Sequence, residues 1–464
     1  MKAYLSFILL AAWSNPGHAT SLDLPERPGS FWLRFDALPE QTHMPVAQTT
    51  ALHFGSLSAL TDHALRERPE SRAAWLGIQA EAARLDAASA ANWPTLTGQF
   101  NFTRSQAISS SGASVPTLHR YGPSLGLTYV LVDFGARAAS IDAQRYQLIA
   151  SLLTGNRVLQ DAITEVETAY FSVLAARAQI DAQTQQETAL RASLDAIEVR
   201  LKGGLAARAD HLRARAALAE ATLARQAAER DRAKAEAALK QAAGIAQTQT
   251  LALDWETAPP AVLEASILLA ELLDEAERQR PDLRALQATA ARARADAERA
   301  RAARWPSVSL TANTGRTFFL EDDHSPSTTY SVGFNLSVPL FDGGRLAAQA
   351  RAAERDAERL QVESESQRGQ VALAVTEAYY DVRHAQTQRA GVAEQFDSAS
   401  ESAEAARARY RAGMGSVLEL LTAQADLARA RQAQVQANSD WLAAFSRLNH
   451  VLGRLPAAIK ISTP

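Results

Sequence analysis

The feature that most constrains the fold is a long stretch with no helix breaker. The run from Ala136 to Arg200 contains no proline, and its single glycine is Gly155. Most of its residues are Ala, Leu, Gln, Arg and Glu, which tolerate or favour helix. At 1.5 Å per residue, these roughly 65 residues predict a helix about 97 Å long. Ordinary globular helices reach three or four turns, so the sequence predicts an elongated body.

The same run occurs a second time, because the chain contains an internal duplication. Equivalent segments lie 212 positions apart early in each half and 209 positions apart later. They are Trp93-Pro94 and Trp305-Pro306, Asp133–Gly135 and Asp342–Gly344, and Ala169–Phe171 and Ala378–Tyr380. A chance repeat would not hold register over such a distance. We therefore predict repeat 1 at residues 56–244, repeat 2 at 266–453 and a connector at 245–265.

The two ends of the chain are predicted to lie outside the repeats. Lys2, the apolar run from Tyr4 to Trp13 and the small residues up to Ala19 are typical of an export signal peptide at 1–19. A buried N-terminal helix is the alternative. Residues 20–55 show no sustained period and are predicted to form an extended arm, and residues 454–464 a C-terminal tail.

Each repeat contains two segments in which apolar and small polar residues alternate. This period of two predicts strands at about 95–103, 123–132, 307–316 and 329–340. About ten residues is the length of a tilted membrane strand. The side chains predicted to face lipid are Phe100, Phe102, Leu125, Leu127, Phe334 and Leu336. A soluble sheet is the alternative, but the flanking sequence is committed to long helices and leaves little material to cover it.

Glycines end each long helix and begin a return. The turns are marked by Gly203 and Gly204 in repeat 1 and by Gly413 and Gly415 in repeat 2, with return helices from about Leu205 and Ser416. The return helix and the helix before the strands together match the length of the long one, which predicts a wall of antiparallel helices. Four strands cannot close a barrel and hydrocarbon does not tolerate an open edge, so several chains must combine their strands. Three copies of the chain would supply twelve strands.

Composition and motifs exclude several function classes. The formal net charge is −3, with 48 basic and 51 acidic residues, which does not indicate nucleic-acid binding. The absence of cysteine excludes disulfides, thiolate metal sites, cysteine nucleophiles and lipid attachment at a mature N-terminal cysteine. No His-x-x-x-His pair and no phosphate-binding glycine loop occurs. We expect no enzyme activity, no cofactor and no metal site.

Taken together, the motifs over residues 56 to 453 resemble the TolC-like outer membrane efflux protein family. The resemblance rests on the helix-starting prolines Pro69 and Pro281, the Trp-Pro exits to the strands, and the strand-to-helix turn Val338–Gly344. Tyr410–Gly413 and Val417–Leu421 complete the set. It implies a mainly α fold with a membrane β-barrel: a homotrimer sharing a twelve-stranded barrel in the outer membrane, above a long antiparallel α-helical barrel in the periplasm. It also implies a periplasmic adaptor and an inner-membrane transporter of ABC or RND type as partners. Without cysteine, the chain resembles the unlipidated branch.

The resemblance also implies a channel gate near the glycine turns. Asp210 and Tyr410 match members of a polar network that holds neighbouring helix pairs together, and Glu419 matches a ring of carboxylates. The arginine expected five residues after Tyr410 is replaced by Gly415, and Arg208 or Arg411 is a candidate substitute. The alternative is that these are ordinary surface groups near helix ends.

These observations predict a passive channel-tunnel through the outer membrane, serving drug efflux or type I protein secretion. The competing hypothesis is a periplasmic coiled-coil scaffold or adaptor that never enters a membrane. Such a scaffold would have no use for four strands with alternating apolar side chains. The cargo, whether drug, metal ion or protein, leaves no trace in the sequence because a wide tunnel contacts it loosely.

Overall fold

The computed structural model describes residues 51–106, 117–254, 268–320 and 325–454. The predicted signal peptide, most of the predicted arm, residues 255–265 of the connector and the tail from residue 455 lie outside these ranges. The helices are α1 (Leu57–Glu67), α2 (Pro69–Ser89), α3 (Ala136–Lys202), α4 (Arg208–Ala242), α5 (Leu269–Gln279), α6 (Pro281–Ala302), α7 (Arg345–Arg411) and α8 (Val417–Leu452). The strands are β1 (Leu52–Phe54), β2 (Thr95–Ser105), β3 (Leu118–Val132), β4 (Leu251–Leu253), β5 (Ser307–Phe319) and β6 (Ser327–Ser337).

The two long helices, α3 and α7, have 67 residues each, which confirms the prediction of one long helix in each repeat. Each begins after a left-handed glycine, Gly135 at φ 95° and Gly344 at φ 84°. The aspartate two residues earlier caps the first turn. The backbone N–H of Leu346 donates to Oδ2 of Asp342 at 2.7 Å and that of Arg137 donates to Oδ2 of Asp133 at 2.9 Å. Hydrogen bonds from the backbone N–H groups, that of Leu346 first, hold the pKa of Asp342 below its usual value despite partial desolvation.

The corner between β3 and α3 carries an additional clamp. The Arg137 guanidinium donates to Oδ2 of Asp133 at 3.1 Å, to the Val130 carbonyl at 2.8 Å and to the Ala91 carbonyl at 3.3 Å. One side chain therefore ties the last turn before β2, the end of β3 and the start of α3 together. The residue 209 positions later is Leu346, whose side chain cannot donate a hydrogen bond.

The shorter helices pack along the long ones. Helix α3 contacts α1, α2 and α4, and α7 contacts α5, α6 and α8, while α3 also contacts α6 and α8 of the other repeat. The end of α4 abuts the start of α2, because a Cβ built on Gly244 would lie 3.3 Å from the backbone nitrogen of Arg68. Gly453, at the end of α8, lies as close to Arg280 at the start of α6. We call these two contacts the first joint and the second joint.

Each joint sits on a small hydrophobic core, and the two cores are built from repeat-equivalent positions. The cluster at the first joint includes Leu60, Val166 and Leu239, all fully buried. The second includes Leu272, Val375 and Leu448, also fully buried. Burying a side chain of this size contributes about 1.5–3 kcal/mol. The joints are therefore the main packed centres of each repeat.

The return helix α4 begins at Arg208, three residues later than predicted. Gly204, at φ 72°, and the extended Ala207 at φ −80° and ψ 148° delay the start of helical backbone. Helix α8 begins at Val417, where the Ser416 hydroxyl accepts a hydrogen bond from the Glu419 N–H. None of the helices in the described residues is both long enough and apolar enough to cross a membrane.

Four strands form one antiparallel sheet in the order β2-β3-β5-β6. Strand β3 begins at Leu118 rather than 123, because pairs such as Ser105 with Leu118 continue the ladder with β2. Strand β5 likewise continues to Phe319 instead of 316. Strand β6 ends at Ser337 rather than 340, because its partner strand starts at Ser307 and Pro339 has no N–H to donate. A bulge at 130–132 shifts the β3–β5 register.

A second, two-stranded sheet joins the two sides of the first joint. Strand β1 pairs in parallel with β4, Leu52 opposite Leu251 and Phe54 opposite Leu253. The pairing brings the last residues of the predicted arm and the first part of the predicted connector onto the core around Leu60.

Candidate channel and tip site

The first candidate surface is the apolar face of the four-stranded sheet. In repeat 1, Leu96 opposes Leu127 and Phe100 stands beside Tyr121, whose ring stacks on Phe318 at 5.5 Å. In repeat 2, Leu310 opposes Phe334. Phe100 is 69% exposed and Phe334 75% exposed. Of the residues predicted to face lipid, Phe102, Leu125 and Leu336 are also exposed, while Leu127 is half-buried.

This face has no protein covering it within the described residues. A soluble sheet exposing several large apolar side chains in a row would be an aggregation liability, whereas hydrocarbon requires such a face. Strands β2 and β6 each pair with one neighbour, so both outer edges are unpaired in a single chain. Both observations are what a partial membrane barrel requires.

The second candidate site is the tip where the long helices turn, which contains Asp210, Tyr410 and Glu419. In repeat 2, Gly413 adopts φ 79° and the turn closes on the Arg409 carbonyl, which accepts from the N–H groups of Met414 and Gly415. The Arg409 guanidinium lies 3.1 Å from the Glu419 carboxylate. The predicted ring carboxylate is therefore paired with a cation from its own hairpin.

Tyr410 is buried, with 5% of its surface exposed, and the Arg200 guanidinium lies 4.5 Å from its ring centroid. The same guanidinium donates to the Arg411 carbonyl at 3.0 Å. Arg200 lies in the last turn of α3, and its side chain reaches from the first hairpin tip to the second. Within one chain, the cation beside the phenol ring is Arg200 of α3. The suggestion that Arg208 or Arg411 acts in a network between chains stays a prediction.

The hydroxyl of Tyr410 has no hydrogen-bond partner among the described residues, and Asp210 does not reach it. Asp210 instead lies in the first turn of α4, 3.5 Å from Arg213. The structure thus brings Tyr410 together with Arg200 but leaves Asp210 outside. No hydrogen-bonded network of carboxylate and phenol forms within one chain in the described residues.

Gly415 stands where the resemblance implies an arginine, and it is closely packed against the preceding turn. A Cβ built there would lie 3.1 Å from the backbone nitrogen of Tyr410 and 3.2 Å from Cβ of Arg409. A side chain at this position would have to displace the preceding turn. Glycine therefore fits this turn better than arginine, because a side chain requires the preceding turn to shift by a few tenths of an ångström.

Below the tips, the two hairpins share a core. Ile197 of α3 and Ala214 of α4 pack with Tyr410, Val417 and Leu420 of repeat 2. One turn deeper, the fully buried Gln424 amide of α8 donates to the Ser193 hydroxyl of α3 at 2.9 Å. The tips are joined by apolar packing, a buried hydrogen bond and the Arg200 contact. Sequence reasoning missed Arg200, although it stands 209 positions before Arg409, the spacing of the duplication.

Comparison with known proteins agrees with this architecture. The model of a family described as outer membrane efflux protein matches residues 60–245 and 272–454. Protein CyaE of Bordetella pertussis is 31% identical over 81% of this chain and 79% of its own length. The alkaline protease secretion protein AprF of Pseudomonas aeruginosa is 29% identical over 40% of this chain and 39% of its own. A crystal structure of a membrane protein from Pseudomonas aeruginosa superposes with a TM-score of 0.75 at 25% identity, covering 86% of this chain and 93% of that one.

The family model covers both repeats, and the similarity to CyaE spans most of this chain and most of CyaE. The protein is therefore located in the outer membrane and extends into the periplasm, it is a channel component rather than an enzyme, and its fold is a helical barrel with β-strands. This chain belongs to the outer membrane efflux protein family of TolC-like channel-tunnels.

Proposed function

We propose that three copies of this chain assemble into a passive channel-tunnel, the outer membrane component of a tripartite efflux or type I secretion system. Three four-stranded sheets would close a twelve-stranded barrel, and the long helices would form the tunnel wall. An inner-membrane pump of ABC or RND type would supply the energy, and a periplasmic adaptor would join the two. The family description favours efflux, and the name of AprF favours protein secretion as well.

The observation that carries the proposal is the sheet with two unpaired edges and an exposed apolar face. Each unpaired backbone group in hydrocarbon costs several kcal/mol, so β2 of one chain must pair with β6 of another. A scaffold confined to the periplasm would have to cover this face with protein. The repeat relationship supports closure, because each chain adds two equivalent hairpins to a ring.

At the far end, we propose that the tips form the closed gate and the adaptor contact. Gly203, Gly204, Gly413 and Gly415 give compact turns that leave the helix ends accessible. Arg200, Tyr410 and Ile197 hold the two hairpins of one chain together. Because Arg409 pairs with Glu419, a ring of this carboxylate would be partly neutralised, and its attraction for cations would be weaker than that of free carboxylates.

The experiment is an insertion test with a matched control. Phe334→Arg places a charge on the lipid side, whereas Asn335→Arg places it on the opposite face of the same strand. We expect Phe334→Arg to destabilise the inserted barrel by about 2–4 kcal/mol per chain. The wild type and Asn335→Arg should fractionate with the outer membrane as heat-sensitive trimers and conduct ions in planar bilayers.

Two results would contradict the proposal. One is a wild-type protein that is monomeric in mild detergent and silent in bilayers. The other is equal membrane recovery of Phe334→Arg and Asn335→Arg, since a scaffold outside the membrane would not distinguish the two faces.

A further inference from the structure

Two arginines of the sheet are repeat equivalents. Arg104 of β2 and Arg316 of β5 lie 212 positions apart, the spacing that also relates Trp93 to Trp305. In each repeat the arginine therefore follows the exit tryptophan by 11 positions. Since the duplicated hairpins occupy equivalent places in a barrel, the two arginines lie at the same height.

Both arginines belong to the apolar face. Arg104 pairs with His119, whose ring lies 6.4 Å from that of Phe102 on this face. The Arg316 guanidinium lies 5.2 Å from the ring centroid of Phe318, which stacks on Tyr121 of the same face. Both arginine side chains are exposed.

Their height matches the far boundary of a membrane. At about 3.3 Å per residue, the 11 positions from tryptophan to arginine span about 36 Å along the strand, or about 28 Å after a tilt near 40°. The apolar band of an outer-membrane barrel is about 25 Å tall. Trp93 and Trp305 are 75% and 61% exposed at the helical end of the sheet. The arginines then stand at the other interface, which faces the cell exterior because the helices occupy the periplasm.

The arginines have no carboxylate to pair with on the sheet. The four strands of this sheet, β2, β3, β5 and β6, carry three arginines and one histidine but no aspartate or glutamate. All four basic residues lie in the half of the sheet away from the helices. Phe318 lies closer to the hairpin end than Arg316, so the guanidinium that covers it extends away from the centre of the apolar band. The sheet thus presents cations at one boundary only.

We propose that Arg104 and Arg316 bind phosphate groups of an anionic lipid in the outer leaflet, giving two headgroup sites per chain. A guanidinium matches a phosphate with two parallel hydrogen bonds, and it is the less costly cation to hold beside aromatic rings. Charge complementarity selects this occupant, because an exposed cation at the edge of an apolar band meets lipid headgroups. The inference rests on the proposed lipid-facing barrel.

The sheet itself supplies the matched control. Arg120 stands next to His119 in β3, but its side chain lies on the opposite face, where it donates to the Ser105 hydroxyl at 3.0 Å. Arg120→Gln removes a charge at the same height without touching the lipid side. The variants are Arg104→Gln, Arg316→Gln, their combination and Arg120→Gln, each purified as the full protein in mild detergent.

The probes are bisphosphorylated lipid A, the same lipid after enzymatic dephosphorylation, and inorganic phosphate. Bound lipid is counted by native mass spectrometry. An arginine near a charged membrane surface is worth about a fivefold change in affinity, so we expect Arg104→Gln to bind the phosphorylated lipid about fivefold more weakly. The double variant should lose more and Arg120→Gln less than twofold. Wild type should prefer the phosphorylated form, and inorganic phosphate at the same concentration should not displace it.

Three outcomes would overturn the inference. Equal binding of both lipid forms by the wild type would remove the phosphate from recognition while leaving the barrel intact. Displacement by inorganic phosphate would indicate an anion site rather than a lipid site. Wild type that binds neither lipid would overturn the lipid-facing barrel together with the headgroup sites.

Discussion

The two hairpin tips carry equivalent charged residues, but the arginine of each tip has a different partner. Arg200 and Asp210 of the first tip stand 209 positions before Arg409 and Glu419 of the second. In the second tip the arginine pairs with its own glutamate at 3.1 Å. In the first tip Arg200 leaves Asp210 and crosses to Tyr410 and the Arg411 carbonyl. One tip is electrostatically self-sufficient, and the other uses its cation to hold its neighbour.

The joints show the opposite behaviour, because both keep the symmetry of the duplication. In each, a C-terminal glycine packs on a buried arginine that precedes a helix-starting proline. The arginines Arg68 and Arg280 have side chains only 10% and 7% exposed. Duplication therefore preserved the packed middle of each repeat while the tips diverged. The Arg200 contact at the tip links the two repeats, whereas at each joint the glycine packs on an arginine of its own repeat.

The largest expected effect tests how alike the joints are. Arg280 makes two hydrogen bonds to Asp282, at 2.9 and 2.5 Å, and one to the Val451 carbonyl at 3.1 Å. Burial raises the pKa of Asp282, but the hydrogen bonds and charge of Arg280 outweigh it and hold that pKa below its usual value. Without this nearest cation, Asp282 keeps only Arg157 at 4.0 Å and the Leu283 N–H among the described residues. We therefore expect Arg280→Ala to destabilise the protein by about 3 kcal/mol. Thermal unfolding followed by circular dichroism measures it.

Arg68→Ala is the matched comparison. Its partner Glu165, 2.6 Å away, is 56% exposed and stays solvated when the arginine is removed. We expect a smaller loss, about 1–2 kcal/mol, mostly from packing. Equal losses at the two joints would show that packing alone sets the cost and that Asp282 does not matter.

The next largest effect compares alanine substitutions of two glycines that share one backbone conformation, one at the second joint and one at the tip. Gly453 and Gly413 both adopt φ 79°, but a Cβ on Gly453 would lie 3.1 Å from the Arg280 backbone, while nothing lies within 4 Å of Gly413. Gly413→Ala should cost about 1 kcal/mol for left-handed backbone alone. Gly453→Ala should cost about 2–3 kcal/mol, since the overpacked joint must also shift. Similar melting temperatures for the two variants would contradict the close contact at the second joint.

At the tip, the expected effect is smaller and appears in gating. Arg200→Ala removes an interaction worth about 1 kcal/mol, which predicts about a fivefold higher open probability in planar bilayers if the tips form the gate. Tyr410→Phe should leave conductance unchanged, because the hydroxyl it removes has no partner in the described residues. The contrary result is a Tyr410→Phe variant that opens the channel as much as Arg200→Ala does. That result would show that a hydrogen bond from another chain to the Tyr410 hydroxyl, and not the Arg200 contact with the ring, keeps the tips together.

The smallest effect concerns pH at the second joint. Burial lowers the pKa of His450, and the charges of Arg157 and Arg280 add to this, while the hydrogen bond and charge of Asp161, 2.5 Å away, act against it. A histidine whose folded pKa lies below its unfolded value of about 6.5 favours the neutral form, so stability decreases as pH falls below about 6.5.

The position of repeat 1 that is equivalent to His450 is occupied by Gln241, 209 positions earlier. Glutamine is therefore the substitution chosen for His450. We expect His450→Gln to reduce by about 1–2 °C the fall in melting temperature between about pH 7.5 and about pH 5.5. Carboxylates such as Asp282 titrate mainly below this window. An unchanged pH profile would show that His450 keeps the same proton affinity folded and unfolded.

How much the sequence could predict follows from the range of each interaction. Helix α3 and the strands were predictable because period and breakers are local, and the Trp-Pro pairs mark the exits. The late start of α4 was not, since Leu205 to Ala207 are acceptable helix formers and only the geometry of the turn excludes them. Arg200 was missed because its partner Tyr410 is 210 positions away and no pattern records that contact.

Arg104 and Arg316 were also overlooked, although the signal was present. Each interrupts an alternation that otherwise places apolar side chains on one face, and their spacing repeats that of the tryptophans. A comparison of the two halves position by position would have paired them. Duplication thus provides, within one chain, information that normally requires related sequences.

The Arg137 clamp has a consequence for how the molecule can deform. Three bonds from this guanidinium fix the corner between β3 and α3, while Leu346 leaves the equivalent corner between β6 and α7 without them. A torque applied at the periplasmic end would be transmitted along both long helices. Helix α3 would pass it to a corner held by the Arg137 bonds, and α7 to a corner that lacks them. If three chains form the proposed ring, fixed and unfixed corners would alternate around its six positions. Twisting of the tunnel would then be taken up at every second corner while the pore mouth kept its shape.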